Sequence, residues 1–281
     1  MKSCPYCGKE YPDDVTNCSI DGESLRDNKP PVSDEKIVEG LPNKNVPYLT
    51  FPDYKWSARD AWKCVGMILV FQFVWNMIVL AIDWHLHGFY TWREHNGFGR
   101  CFMAIVYFAI GLLMAAYFAR TETLASFWKG FGFDRKPSEY VWFGIVAALF
   151  VRFFSHFMLI HGWGKGVSNY EINAFKNTTD HEKYLFVVPL LLLAPLFEEA
   201  INRGFIYKAF RGSYSIKASM ALIVAWTANT HWGQYAHSWI AAFGLSMLTI
   251  VQCYLREKSD SLWDCILCHF TFNASLLFVS A

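Results

Sequence analysis

From residue 64 onward, apolar runs of about twenty residues, the length of a membrane-crossing helix, alternate with short polar breaks. Seven such runs are predicted as spans: Cys64–Ile82, Cys101–Ala119, Tyr140–Ile160, Tyr184–Phe210, Lys217–His231, Ser238–Leu255 and Ser261–Val279. The fourth is long, and Pro195 predicts a kink in it. The fifth is short and fits only if its neighbours bury it. Phe127–Phe133 (FWKGFGF) reads instead as an amphipathic segment lying at the membrane surface. Upstream the pattern vanishes. Residues 26–55 are polar and broken by Pro30, Pro31, Pro42, Pro47 and Pro52, a composition that builds no core and predicts a linker. The chain therefore divides into a module at 1–25, a linker at 26–55 and a helical membrane domain at 56–281. The fold class is all-α, a polytopic transmembrane bundle of about seven helices with a small N-terminal module.

The fourth span breaks its own pattern. A run of leucines gives way to Glu198, Glu199, Asn202 and Arg203 within six residues. A charged side chain at the middle of a membrane helix costs about 2.5–3.5 kcal/mol, so such groups face protein or water and find partners. Residues four apart share a helical face. Glu199 falls with Arg203 and is neutralised; Glu198 falls with Asn202 and is left free for chemistry. Lys208 and Arg211 follow closely, so an ordinary charged helix end is the competing reading.

Composition agrees with a membrane protein. The chain is 54% hydrophobic and 18% aromatic, with 17% charged residues against about 25% in soluble domains. A net charge of +1 gives no basic surface for nucleic acid. No basic segment with a short apolar core and cleavage site opens the sequence, so the first span is expected to direct insertion. With the N-terminus in the cytoplasm, the inner segments hold Lys55, Arg59, Lys63, Arg120, Lys129, Arg135, Lys136, Lys208, Arg211, Lys217, Arg256 and Lys258. The outer segments hold only Arg93, Arg100, Lys165, Lys176 and Lys183. That excess is the positive-inside pattern. The expected location is the cell membrane, with several crossings.

The first 25 residues carry Cys4 and Cys7, then Cys18 and Asp21: C-x2-C-x10-C-x2-D. Paired ligands two residues apart on tight turns each supply two corners of a tetrahedral zinc site. The arrangement resembles the small zinc ribbons at the ends of many bacterial proteins, with Asp21 where a fourth cysteine is usual. It implies a structural Zn2+ on Cys4, Cys7, Cys18 and Asp21, and reduced cysteines favour the cytoplasmic side.

Further polar residues interrupt the later spans. His231 closes the fifth, and His269 and Asn273 share a face of the seventh, four residues apart. No serine, cysteine or threonine has an evident base partner, and there is no H-E-x-x-H zinc-protease motif. Cys265-Ile-Leu-Cys268-His269 matches a haem-attachment pattern, but it lies inside an apolar helix. What remains is a carboxylate and a histidine to activate water, and a histidine–asparagine pair to stabilise an oxyanion. That set suits direct hydrolysis of an amide.

Glu198-Glu199-x-x-x-Arg203, Thr227-x-x-x-His231 and His269-x-x-x-Asn273 occur in the order of the EExxxR, FxxxH and HxxxN motifs. The chain thereby resembles the CAAX-protease and bacteriocin-processing (CPBP, or abortive-infection) family of intramembrane glutamate proteases. The resemblance runs from about residue 140 to 279, and Thr227 stands where the family has phenylalanine. It implies Glu198 as the base that activates water with His231, His269 and Asn273 as the oxyanion site, and Glu199 and Arg203 as supports. It implies a peptide or protein substrate, membrane-bound or lipid-modified, and no cofactor in the site. The alternative is a non-catalytic membrane adaptor or immunity protein whose ribbon recruits a partner; a transporter with an intramembrane acid is a third reading.

Overall fold

The computed structural model describes residues 2–4, 9–20, 22, 24–27, 56–87, 97–163, 189–232 and 238–279. Eight helices lie among them. They are α1 Ala58–His87, α2 Gly97–Phe118, α3 Leu124–Phe131 and α4 Tyr140–Ile160. A composite helix α5 follows, then α6 Ile216–Thr230, α7 Trp239–Ser259 and α8 Leu262–Val279. Seven of them overlap the predicted spans; α3 is the amphipathic segment.

Three helices are long and apolar enough to cross a membrane by themselves: α1 over Ala58–Ala81, α4 and α7. A shorter apolar stretch, Ala104–Phe118, lies in α2. At 15 residues, α6 reaches about 22 Å, short of a hydrocarbon core of about 30 Å. One face is covered by the bundle, where Ile223, Trp226 and Thr227 are buried, while Ala221, Ala225 and Asn229 on the other are exposed.

α5 is not one regular helix. Pro189–Leu193 is π-helical, Ala194–Glu199 is α-helical, Ala200–Ile206 is π-helical again, and Tyr207–Arg211 returns to α. Pro195, where a kink is predicted, sits in the first turn of the α segment, at its boundary with the leucine-rich π segment. The second π segment starts immediately after Glu199. Such i→i+5 bulges are rare and concentrate at functional sites.

One end of the bundle is fastened by buried charges. Arg211 Nε lies 2.7 Å from Glu257 Oε1, which also accepts from Tyr207 Oη at 2.8 Å. Lys208 and Arg256 both pair with Asp260, at 3.1 and 3.3 Å. Lys208 donates to the carbonyl of Gly130 and Arg256 to that of Phe131. The last turns of α5 and α7 are thus tied to the C-terminal end of α3, which keeps that helix against the bundle. Thr123 caps α3 in a reciprocal capping box with Ser126. Trp56 fills the same end, its indole N–H donating to the Ala119 carbonyl and its ring meeting Phe205 edge-on at 5.1 Å.

Gly132 ends α3 with φ +88°, and its carbonyl accepts from the Leu262 N–H. A Cβ there would stand 2.5 Å from both terminal nitrogens of Arg256. Gly132→Ala combines left-handed strain of about 1–2 kcal/mol with displacement of a buried guanidinium. The melting temperature in detergent should fall by several degrees; an unchanged value would refute the fastening role given to Arg256.

The N-terminal residues form a three-stranded antiparallel sheet, β1 (Lys2–Ser3) lying between β2 (Glu10–Tyr11) and β3 (Arg26–Asp27). Lys2 faces Tyr11 on one side and Asp27 on the other. Cys4, Tyr11 and Cys18 are its buried centre, with Val15, Ile20 and Leu25 packed against them.

Candidate active site

The EExxxR motif meets α7 and α8 in the bundle interior. Glu199 has no exposed surface, and its Oε1 gathers three partners from three helices. Arg203 Nη1 lies at 3.3 Å, Gln252 Nε2 donates at 2.9 Å, and His269 Nδ1 stands at 2.8 Å. Arg203 is 3% exposed and Gln252 is 2% exposed. The four-residue spacing brings Glu199 and Arg203 together despite the π segment between them. A buried carboxylate needs a paired charge and hydrogen bonds to remain ionised, and this one has both. Glu199 Oε2 has no hydrogen-bond partner among the described residues.

Glu198 stands apart from that cluster. It is half-buried, and its carboxylate makes no hydrogen bond among the described residues. Phe197 beside it stacks on Phe108 of α2 at 5.8 Å, and Tyr107 lies within electrostatic range of the Glu198 carboxylate. Asn202, on the face predicted for Glu198, accepts a 2.8 Å hydrogen bond from the Trp226 indole. That bond ties α5 to α6 one residue before Thr227.

His231 is the C-terminal cap of α6. Its Nδ1 is 3.1 Å from the Thr227 carbonyl and 3.0 Å from Thr230 Oγ1. Thr227 in turn accepts from Thr249 of α7. The ring is therefore oriented by its own helix end, leaving Nε2 for other partners. His231 lies about 22 Å along α6 and Asn273 about 17 Å along α8, counting 1.5 Å per residue from the first residue of each helix. Both helices follow directly on the fastened end of the bundle, α6 after Arg211 and α8 after Asp260.

Asn273 follows His269 by one turn on α8. Arg152 of α4 donates to the Phe272 carbonyl at 3.2 Å, and its guanidinium lies 3.9 Å from the centre of the Phe272 ring. α4 thereby holds the turn that carries Asn273. Among the described residues, the direct hydrogen bonds and ion pairs join Glu199, Arg203 and His269; Glu198 and His231 are not bonded to that group. Gln252, Arg152 and Tyr107 are the neighbours that sequence reasoning missed. Gln252 and Arg152 were legible in principle as polar residues inside apolar runs, whereas Tyr107 carried no such signal.

The thiols near the site are structural. Cys265 and Cys268 are fully buried, and Cys265 donates to the Gln252 carbonyl. In the N-terminal module, Cys18 Sγ lies 3.2 Å from Tyr11 Oη and accepts from the Ile20 N–H at 3.4 Å. Cys7 and Asp21 lie outside the described residues. Among the described residues, no three His, Cys, Asp or Glu side chains gather as a metal site.

No curated protein and no solved structure matches the chain. Residues 180–275, about a third of the sequence, match the family model of type II CAAX prenyl endopeptidase Rce1-like proteins. That segment holds Glu198, Glu199, Arg203, His231, His269 and Asn273, and over it the chain is similar to the prenyl endopeptidases that the family model describes.

Proposed function

We propose that the protein is a multi-pass intramembrane endopeptidase that hydrolyses a peptide bond with activated water. The observation that carries this reading is the buried convergence of Glu199, Arg203, Gln252 and His269 within the segment matching a protease family. Ionisable residues inside membrane bundles mark functional paths and sites far more often than bare scaffolding. Glu198 is the base, because its neighbour already takes the arginine and the histidine.

In the proposed reaction, Glu198 removes a proton from water while His231 orients it. The water oxygen bonds to the carbonyl carbon, and the carbonyl oxygen takes the negative charge. His269, as the imidazolium with Nδ1–H on Glu199, and Asn273 donate to that oxygen. On collapse the carbon–nitrogen bond breaks, and the proton held by Glu198 passes to the leaving amine. Donors fixed in advance by Glu199 and by the α4–α8 contact need little rearrangement as charge develops, which is the usual source of oxyanion stabilisation. The substrate is a peptide or protein segment reaching the site from the membrane, with or without a lipid. The N-terminus lies in the cytoplasm, and the fastened end of the bundle faces the same side.

The test is cleavage of a library of free and lipid-modified peptides by the purified, detergent-solubilised protein. Site-specific fragments are expected from at least one class. A library left intact by wild-type protein, in detergent and after reconstitution in bilayers, would favour the adaptor.

The N-terminal module is proposed to hold one Zn2+ on Cys4, Cys7, Cys18 and Asp21. Burial of Cys4 and Cys18 beside one another's neighbours, and the N–H directed at Cys18 Sγ, support this. Elemental analysis should give one zinc per chain, lost in Cys4→Ser and Cys18→Ser. Metal-free wild-type protein from zinc-supplemented cells would remove the proposal.

A further inference from the structure

We infer that Gln252 is a positioning residue for His269, acting through the Glu199 carboxylate. The consequence for catalysis rests on the endopeptidase reading; the geometry and the first test do not. Gln252 is buried in α7, outside all three motifs and between the second and third in sequence. Its amide nitrogen donates to the same oxygen of Glu199 that faces His269 Nδ1, at 2.9 and 2.8 Å. Cys265 of α8 donates to the Gln252 backbone carbonyl, so α7 and α8 are joined at this level both directly and through Glu199 of α5.

The direction of the His269 bond follows from charge. Glu199 is paired with Arg203 at 3.3 Å, which favours the carboxylate, and a carboxylate has no proton to give. The His269 ring must donate from Nδ1, and Nε2 is then its working nitrogen. A neutral ring held this way offers a lone pair at Nε2. Donation from Nε2 to an oxyanion requires the imidazolium, with protons on both nitrogens. Glu199 thus selects the ring form, and Gln252 with Arg203 selects the rotamer of Glu199. Without the amide donor, the carboxylate has one anchor instead of two, and the ring loses its fixed partner. Outer partners of this kind orient histidines in metal sites and serine-hydrolase triads, where their removal leaves packing intact and costs function.

The experiment uses full-length protein in detergent, labelled with 15N-histidine. His269 ring signals are assigned by their loss in His269→Asn. Gln252→Met keeps the length of the side chain and removes its donor; Gln252→Leu, one atom shorter and branched, also removes the donor, should the first fail to fold. Wild type is expected to show a protonated Nδ1 on His269, and the variants a mixture of ring forms. For a peptide cleaved by wild type, kcat should fall roughly 10–100-fold with KM within about two-fold. An unchanged His269 signal in folded Gln252→Met overturns the inference, whatever the activity. If wild type cleaves nothing, the endopeptidase reading fails while the ring spectrum still decides the role of Gln252.

Discussion

Glu198→Gln should lower kcat for peptide cleavage by about 10²–10⁴-fold, the usual contribution of a positioned acid–base group. The substitution is nearly isosteric and removes only the ability to accept a proton. The Glu198 carboxylate makes no hydrogen bond among the described residues, so the fold has little to lose, and the melting temperature should stay close to that of wild type. The contrast with its neighbour is what gives the prediction its force. Glu199 is enclosed by Arg203, Gln252 and His269, so its charge is already committed. Steady-state cleavage of one defined peptide, followed by mass spectrometry, is the measurement. Activity retained within ten-fold in Glu198→Gln would move the base elsewhere or return the chain to the adaptor reading.

Arg203→Leu should destabilise the protein by about 3–5 kcal/mol, the cost of removing one partner from a buried ion pair. Leucine is apolar and suits the surroundings, so the loss comes from the stranded charge of Glu199 rather than from a cavity. Two hydrogen bonds, from Gln252 and His269, remain on Glu199 but supply no balancing formal charge while the ring is neutral. The effect is read from chemical or thermal unfolding in detergent. Replacing both members, as Glu199→Leu with Arg203→Leu, should recover part of the lost stability, because removing both charges is often close to neutral. A single variant as stable as wild type would mean that Glu199 is not ionised in the folded protein.

Much of this architecture was readable from the chain. The apolar runs placed the helices, three of which are long and apolar enough to cross a membrane, and the Glu199–Arg203 pair followed from a four-residue spacing. The π segment was not readable, since nothing in Ala200–Ile206 announces an i→i+5 pattern. Gln252 was passed over because a single amide in an apolar helix carries no motif. The partner of His269 was also hidden: helical spacing relates residues within a helix, whereas this bond crosses from α8 to α5. The family match begins near residue 180, whereas the motif resemblance was drawn from residue 140. α4 lies before the match, yet it packs along α8 more extensively than any other described pair.

The π segment of α5 has a consequence for comparing this chain with others. Tyr207 donates its N–H to the Asn202 carbonyl, five residues back, so the segment holds one residue more than an α-helix of the same span. Deleting one residue there would restore the ordinary pattern and swing everything beyond it by about 100°. Tyr207, Lys208 and Arg211 would then leave Glu257 and Asp260. Alignments through this stretch should therefore carry a one-residue gap wherever a relative lacks the bulge, and such relatives must brace α3 by other means.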